Sequence, residues 1–258
     1  MNLSKLFEKY ARKNISILRK GGEEALTTLY AKWMDTVDDI LGCTPREYLQ
    51  KQSVTDLVDM LEKEAASGNI GEAVVIELEK RDCEKALKLL IKESENDDAI
   101  MVSAEILERK NCLPEADIYL DVIMDTSHSY ELREEFISIL KNYADLAAPH
   151  IYDRLEGADK NLKTVFAEIL IYAKKDDRTF DLLTELFSYG ENIPLYCSYF
   201  GSYGDERAAA ILYRALDKAD YADFTEISNA IERLGGTVDY DMKDFTEDTT
   251  YQKIKEGK

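Results

Sequence analysis

One pattern recurs along this chain about every thirty residues, and it constrains the fold more than any other feature. Each copy has an apolar pair that closes one helical pattern, a short polar turn, and then a second apolar run. Copies begin at Val75, Ile106, Ile139, Ile169, Tyr199 and, in a form that breaks off, Ala230, at spacings of 31, 33, 30, 30 and 31 residues. Self-similarity at this period predicts an array of stacked units, because a lone helix pair cannot bury both of its apolar faces.

Each copy is typical of two helices joined by a turn. In the third copy, Leu132, Phe136 and Ile139 recur at helical spacing before the turn, and Ile151 and Leu155 recur after it. The turns contain residues that cap helices or favour turns: Asp82, Asn111 with Pro114, Asp145, Asp176 with Asp177, and Gly204 with Asp205. Only 12 glycines and 4 prolines occur in the 258 residues, which favours a mostly helical chain because both residues cost helix stability.

The fifth copy, GSYGDERAAAILYRAL, resembles the short bacterial HEAT-like repeat that also occurs in phycobilin lyases. In that repeat an apolar helix is followed by a Gly-Asp turn, then Arg-Ala and a second apolar helix. Gly204, Asp205, Arg207 and Ala208 match it, whereas the other copies match by pattern because their turns lack the glycine. The resemblance covers residues 71–236. It implies an all-α fold, an α-solenoid of about five to six HEAT-like helix pairs, and says little about function.

The first 70 residues do not follow the repeat, and we expect a helical module there. A first helix would present Leu3, Leu6, Phe7, Tyr10 and Leu18, and a second would lie between the Gly21–Gly22 pair and Gly42 and carry Trp33 and Ile40. Two shorter helices would be capped by Thr44 and Ser53. Residues 1–70 are therefore interpreted as an N-terminal module and cap, and residues 71–236 as the repeats.

The last segment, residues 237–258, is interpreted as a C-terminal tail that covers the end of the array. Val238, Tyr240 and Met242 alternate with polar residues, which favours an extended stretch. Thr246 is the expected cap of a last short helix.

The net charge of −19 argues against nucleic-acid binding, because an acidic surface repels the phosphate backbone. The first twenty residues are an exception, with six lysines and arginines against Glu8, a net of +5. This basic segment could dock on the acidic body, touch an acidic partner or touch a membrane surface, although the acidic remainder opposes the last. Since no apolar run approaches the roughly 20 residues of a membrane span, and no secretory h-region follows the start, we expect a cytoplasmic protein.

Motifs for catalysis, metals or cofactors do not occur. The two histidines, His128 and His150, stand outside any HExxH or Cys/His cluster. The four cysteines form no CxxC pair, and no GxSxG, P-loop or GxGxxG motif is present. The sequence therefore favours a non-catalytic protein that needs no cofactor.

Equivalent positions in the second helices hold a row of contact candidates. One place after the first apolar residue of each second helix stand Lys88, Tyr119, Tyr152, Leu183 and Tyr213. In HEAT-like solenoids the second helices line the concave face, where tyrosines would suit a protein partner. The alternative is that these rings pack between neighbouring repeats.

Two functional hypotheses follow. The first is a non-catalytic protein that binds a protein partner on its concave face through Tyr119, Tyr152, Tyr213 and Lys88. The second is an enzyme or small-ligand-binding protein whose site lies between the N-terminal module and the repeats. A pocket that holds Trp33, a histidine and converging carboxylates would support the second.

Overall fold

The computed structural model describes residues 2–255, with the backbone alone for residues 16–23. Every regular element in this range is helical, which confirms the expectation of an all-α chain. The helices are α1 (Leu3–Lys13), α2 (Ile15–Met34), α3 (Pro45–Lys51), α4 (Val54–Ala65), α5 (Glu72–Glu79), α6 (Glu84–Glu93), α7 (Asp97–Arg109), α8 (Ala116–Met124), α9 (Tyr130–Asn142), α10 (Ala144–Tyr152), α11 (Lys160–Leu170), α12 (Asp177–Ser188), α13 (Ile193–Tyr203), α14 (Arg207–Leu216), α15 (Tyr221–Arg233) and α16 (Thr249–Lys255). Within the described range, no helix combines the length and the apolar character that crossing a membrane requires.

The chain divides into two compact units. Unit 1 consists of Met1–Ile118 with Asp125–Arg133, and unit 2 consists of Tyr119–Met124 with Glu134–Lys258. In unit 1, α4 packs against α5, α6 and α7, and α6 packs against α7. In unit 2, α15 packs against α13 and α14, and α12 packs against α11 and α13. Helices α1 to α4 thus belong to the same compact unit as α5, α6 and α7.

Two expectations for the N-terminal segment are wrong. The first helix ends at Lys13, and α2 continues through the Gly21–Gly22 pair rather than starting after it. The break lies at Asn14, whose side chain donates to the Tyr10 carbonyl (2.9 Å) and so competes with the helical backbone bonds. The side chains of Leu18, Arg19 and Lys20, to which the predicted apolar face and basic segment extend, lie outside the described residues.

The second helix also ends earlier than expected. It stops at Met34, and Ile40 lies in a turn where its N–H donates to Oδ1 of Asp38 (2.8 Å), so its side chain is exposed. The next two helices begin as predicted. Thr44 and Ser53 each form a capping box, with Glu47 and Asp56 respectively.

The C-terminal tail is not extended where the alternation predicts it. Tyr240–Met242 form a 3₁₀ turn, because Oδ1 of Asp239 accepts the N–H of Asp241 (3.0 Å) and closes the chain locally. The last helix is preceded by Asp248, whose Oδ1 accepts the N–H groups of Thr250 (2.8 Å) and Tyr251 (3.0 Å). Asp248 therefore takes the capping role that the sequence assigned to Thr246.

Side-chain contacts within each unit repeatedly join residues 27 to 33 positions apart, close to the period of the sequence repeat. In unit 1, Nζ of Lys110 donates to the Glu79 carbonyl (2.8 Å). In unit 2, the hydroxyls of Thr164 and Tyr196 lie 3.1 Å apart. Further pairs of this kind are His128 with Asp97, Tyr152 with Thr179, Arg154 with Asp121, and Arg207 with Asp177. Residues separated by about one period of the sequence pattern are thus spatial neighbours at these places within a unit.

The turn that carries the HEAT-like resemblance has a repeated structure. Nη2 of Arg207 lies 2.7 Å from Oδ2 of Asp205, and its guanidinium lies 4.2 Å from the ring centre of Phe180. Twenty-nine residues earlier, Arg178 makes the same pair with Asp176 (2.8 Å) and lies 3.7 Å from the ring centre of Tyr152. An Asp-x-Arg turn therefore covers an aromatic ring of the preceding second helix in both copies.

Removing the Asp176 charge should have an effect that depends on pH. Hydrogen bonds from the side chain and backbone of Arg178 lower the pKa of Asp176 from 3.8 to about 2. A carboxylate with a depressed pKa stabilises the folded state above its ordinary pKa, and that contribution is lost as the pH falls through 2. We expect Asp176→Asn, which keeps the capping oxygen, to lower the thermal midpoint by roughly 2 °C at pH 6 and to have a much smaller effect near pH 2.

Circular dichroism melts of the wild type, Asp176→Asn and Asp181→Asn measure this effect. Asp181 lies exposed on α12 and has no arginine partner among the described residues, so its substitution is the matched control. An equal effect of Asp176→Asn at the two pH values would contradict the role of its charge.

Candidate functional site

Two of the predicted contact tyrosines pack against neighbouring residues. Tyr119, at the start of unit 2, is only 2% exposed, and its ring centre lies 4.6 Å from that of Phe136. Tyr152 is partly buried under the Arg178 guanidinium, and its hydroxyl lies 2.8 Å from Oγ1 of Thr179. Both rings thus have a clear structural role between helices of unit 2.

The third predicted tyrosine lies at the surface. Tyr213 is 41% exposed on α14, and its hydroxyl donates to the Thr237 carbonyl (2.7 Å) and accepts from the Thr237 N–H (3.1 Å). A Cβ on Gly236 would lie 2.9 Å from this hydroxyl, so the backbone can approach Tyr213 this closely only because residue 236 is glycine. Tyr213 therefore offers one ring face to solvent while it fastens the start of the C-terminal tail.

Lys88, the fourth predicted contact, lies in a groove of unit 1. Its Nζ is 2.8 Å from Oε1 of Glu84, one turn earlier on α6. The groove has a volume of about 470 Å³ and is also lined by Lys85, Lys92 and the exposed Leu89. Three carboxylates, Asp82, Glu84 and Glu115, line it as well, so the lining charges balance.

A larger groove in unit 2 combines apolar lining with excess positive charge. Its volume is about 610 Å³, and helices α12, α13, α14 and α15 all contribute to it. The apolar lining includes Phe187, Ile193, Ile211, Ala215 and Ile227. We call this the α12–α15 groove.

The cations of the α12–α15 groove lie at the end of α14: Arg214 is in its last turn, and Lys218 is in the turn that follows the helix. Ile211, Arg214, Ala215 and Lys218 follow one another at helical spacing, so all four line the groove. Arg214 and Lys218 are exposed, and neither forms an ion pair with any described residue. The groove thus places two cations without an ion-pair partner beside an apolar surface, in a chain whose net charge is −19.

One carboxylate lines the same groove. Burial raises the pKa of Asp223, and the nearby charge of Asp220 raises it further. The backbone N–H of Asp223 donates to Oδ1 of Asp220 (2.9 Å), which is the N-cap residue of α15. The lining thus carries two cations against one carboxylate, a net positive charge.

Catalytic chemistry finds little support in the described part of the chain. No three His, Cys, Asp or Glu side chains there come close enough together to hold a metal ion. Nδ1 of His128 lies 2.8 Å from Oδ1 of Asp97, and Oδ2 of Asp97 accepts the Ser129 N–H (2.7 Å), so this pair joins α7 to the start of α9. Burial, with Glu226 and Asp223 nearby, raises the pKa of Cys197 to about 12, which leaves its thiol protonated and a poor nucleophile.

The repeat position that holds Tyr213 includes neither Arg214 nor Lys218, so the repeat alone does not indicate these two cations. The fifth copy reads ILYRALDKA, in which Tyr213 stands at that position and Arg214 does not. Helical spacing from Ile211 to Lys218 is a usable signal, since it predicts two cations on the same side as apolar residues.

Comparisons with known proteins do not assign the chain to a family. No protein-family model, no curated protein and no solved structure matches it.

Proposed function

We propose that this chain is a cytoplasmic, non-catalytic HEAT-like repeat protein, a solenoid of stacked helix pairs whose second helices bind a protein partner. The sequence period and the side-chain contacts 27 to 33 residues apart within each unit support the repeat. The Asp-x-Arg turns at Asp176 and Asp205 add a repeated local structure that carries the HEAT-like resemblance.

The α12–α15 groove is the partner site that the geometry supports best. The carrying observation is the pair of unpaired cations, Arg214 and Lys218, beside the apolar lining of Phe187 and Ile211. An apolar groove gains binding energy by covering its hydrophobic surface, and cations at its edge select a partner of opposite charge. The occupant is therefore a protein segment with one or two apolar side chains flanked by aspartates or glutamates.

Tyr213 is a separate contact candidate on α14, because it does not line the α12–α15 groove and faces another side of the helix from Ile211 and Arg214. Its exposed ring face and the neighbouring Arg214 are residue types that dominate protein interfaces. In this proposal Tyr119 and Tyr152 are packing residues that stabilise the second helices. Lys88 belongs to the separate groove in unit 1.

Charge reversal tests the groove. We expect Arg214→Glu with Lys218→Glu to weaken partner binding by more than about tenfold, because like charges across an interface are strongly unfavourable. Lys253→Glu with Lys255→Glu on α16 makes the same change in net charge outside the groove and should leave binding unchanged. The partner is first captured on the full-length chain from native extract at physiological salt. Its affinity is then measured with purified proteins by isothermal titration calorimetry.

The results separate the two parts of the proposal. A purified protein that binds the wild type and the α16 variant, but not the groove variant, supports both the function and its site. Equal binding to the groove variant would place the interface elsewhere. If extract yields no protein that binds the purified wild-type chain, the partner-binding function itself is overturned.

A further inference from the structure

Unit 1 contains a further cavity, which is separate from the Lys88 groove and from the α12–α15 groove. Helices α1 and α2 and the segment 69–74 enclose a volume of about 450 Å³. This volume falls within the range of roughly 300–1,000 Å³ that is typical of small-molecule sites. The cavity lies between the N-terminal helices and the first repeat, where the sequence placed an alternative ligand site.

Three aromatic rings build one wall of this cavity. The ring centre of Phe7 lies 4.8 Å from that of Tyr30, at right angles, and 5.4 Å from that of Trp33. Because the rings pack directly on one another, they form a continuous apolar wall rather than an open cage around a cation. Such a wall suits a flat, largely apolar molecule.

Two hydrogen-bond donors in this wall lack an acceptor. Trp33 is 1% exposed, and its indole N–H has no partner among the described residues. The Tyr30 oxygen accepts the Ala73 N–H (3.3 Å), but its own O–H donates to no described residue. The Trp33 N–H has almost no accessible surface, so a ligand in the cavity cannot reach it. The Tyr30 side chain is only partly buried and lines the cavity, so its O–H is the donor that a ligand oxygen would satisfy.

Charge at the cavity excludes anions. Glu8 and Glu72 line it, whereas no lysine or arginine does so among the described residues. Arg12, outside the lining, pairs with Glu8 (3.7 Å), but Glu72 forms no ion pair with a described residue, so a bound anion would meet a net negative charge. The favoured ligand is neutral and carries a hydrogen-bond acceptor.

The walls are held in place by a buried carboxylate. Oε1 of Glu64 accepts the Leu3 N–H and its Oε2 accepts the Gly71 N–H, both at 2.8 Å. Glu64 is fully buried, so it ties the start of α1 to the segment that forms the opposite wall. A Cβ on Gly71 would lie 3.0 Å from Oε2 of Glu64, so glycine permits this close approach.

We propose that this cavity binds a neutral aromatic small molecule that carries a carbonyl-type acceptor. Trp33 is the single tryptophan of the chain and lines the cavity, so its fluorescence reports occupancy directly. The probe is 6-propionyl-2-(dimethylamino)naphthalene, which is neutral, aromatic and a ketone. We expect saturable quenching of Trp33 emission by this probe, and binding of the anion 2-naphthoate at least about tenfold weaker.

Filling the cavity provides the mutational test. Ala11 lines it, and Ala11→Phe should weaken probe binding at least about tenfold. Ala31→Phe makes the same substitution at an exposed position of α2 outside the cavity and should bind like the wild type. Leu26→Asp adds a charge at a lining residue that is already exposed, and it repeats the test should Ala11→Phe fail to fold.

Each outcome decides the proposal. Saturable binding that is lost in Ala11→Phe or Leu26→Asp and kept in Ala31→Phe supports it. Absent or non-saturable quenching, or equal binding to the filled variant, overturns the site. Equal binding of 2-naphthoate overturns the neutral ligand class.

Discussion

Replacing Arg81 by alanine is expected to destabilise unit 1 by about 3 kcal/mol, because several groups lose a partner at once. Its Nη2 lies 2.7 Å from Oε1 of Glu77, whose side chain is buried. Nη1 donates to the Gln52 carbonyl (2.8 Å), and Nη2 also donates to the carbonyls of Gln50 (3.0 Å) and Leu49 (3.3 Å), which end α3. Alanine would leave a buried carboxylate and the end of a helix without these charged donors.

Urea unfolding followed by Trp33 fluorescence measures this loss, since Trp33 lies in the same unit. Lys80→Ala is the matched control, because Lys80 is the other cation on Glu77 (3.4 Å) but its side chain is 58% exposed. We expect the control to cost less than about 1 kcal/mol. Equal losses for the two variants would mean that the backbone carbonyls contribute little to the role of Arg81.

Arg81 also shows what a single sequence leaves hidden. The period and the apolar spacing predict most of the helices from α5 to α15, because both depend on residue types along the chain. They misplace α10 (Ala144–Tyr152): Asp145, expected in a turn, lies inside this helix, and Leu155, expected in it, lies beyond its end. Besides Glu77, one turn earlier, the partners of Arg81 are backbone carbonyls 29 to 32 residues earlier, and carbonyls have no residue-type signature. The arginine therefore looks like one more surface charge until the helices are placed in space.

The row of tyrosines illustrates a different limit. The repeat identifies Tyr119, Tyr152 and Tyr213 as equivalent positions, but their exposure depends on the side chains beside them. Phe136 covers the first and Arg178 the second, while Tyr213 remains partly open beside the tail. Periodicity thus predicts which positions correspond, and packing between neighbours decides which of them solvent can reach.

The glycine pair in α2 shows why helix ends were harder to predict than helix presence. Gly21–Gly22 predicts a helix boundary, because glycine costs about 1 kcal/mol in a helix interior. The structure instead breaks the helix at Asn14, where a side-chain bond to the Tyr10 carbonyl replaces a backbone bond. Intrinsic propensity is a weak prior, and a local capping contact at one residue is enough to move a boundary.

Phe200→Ala should destabilise unit 2 by about 4 kcal/mol, because it removes a whole ring from a closed core. Phe200 on α13 is fully buried, and its ring centre lies 5.7 Å from that of Phe187 and 6.4 Å from that of Phe180. Phe187 also lines the α12–α15 groove, so this core supports the proposed partner surface. Leu195→Ala on the same helix is the control, since that side chain is 37% exposed and should cost less than about 1 kcal/mol. Urea unfolding followed by circular dichroism measures both variants, and a small loss for Phe200→Ala would show that neighbouring side chains close the cavity rather than leave it open.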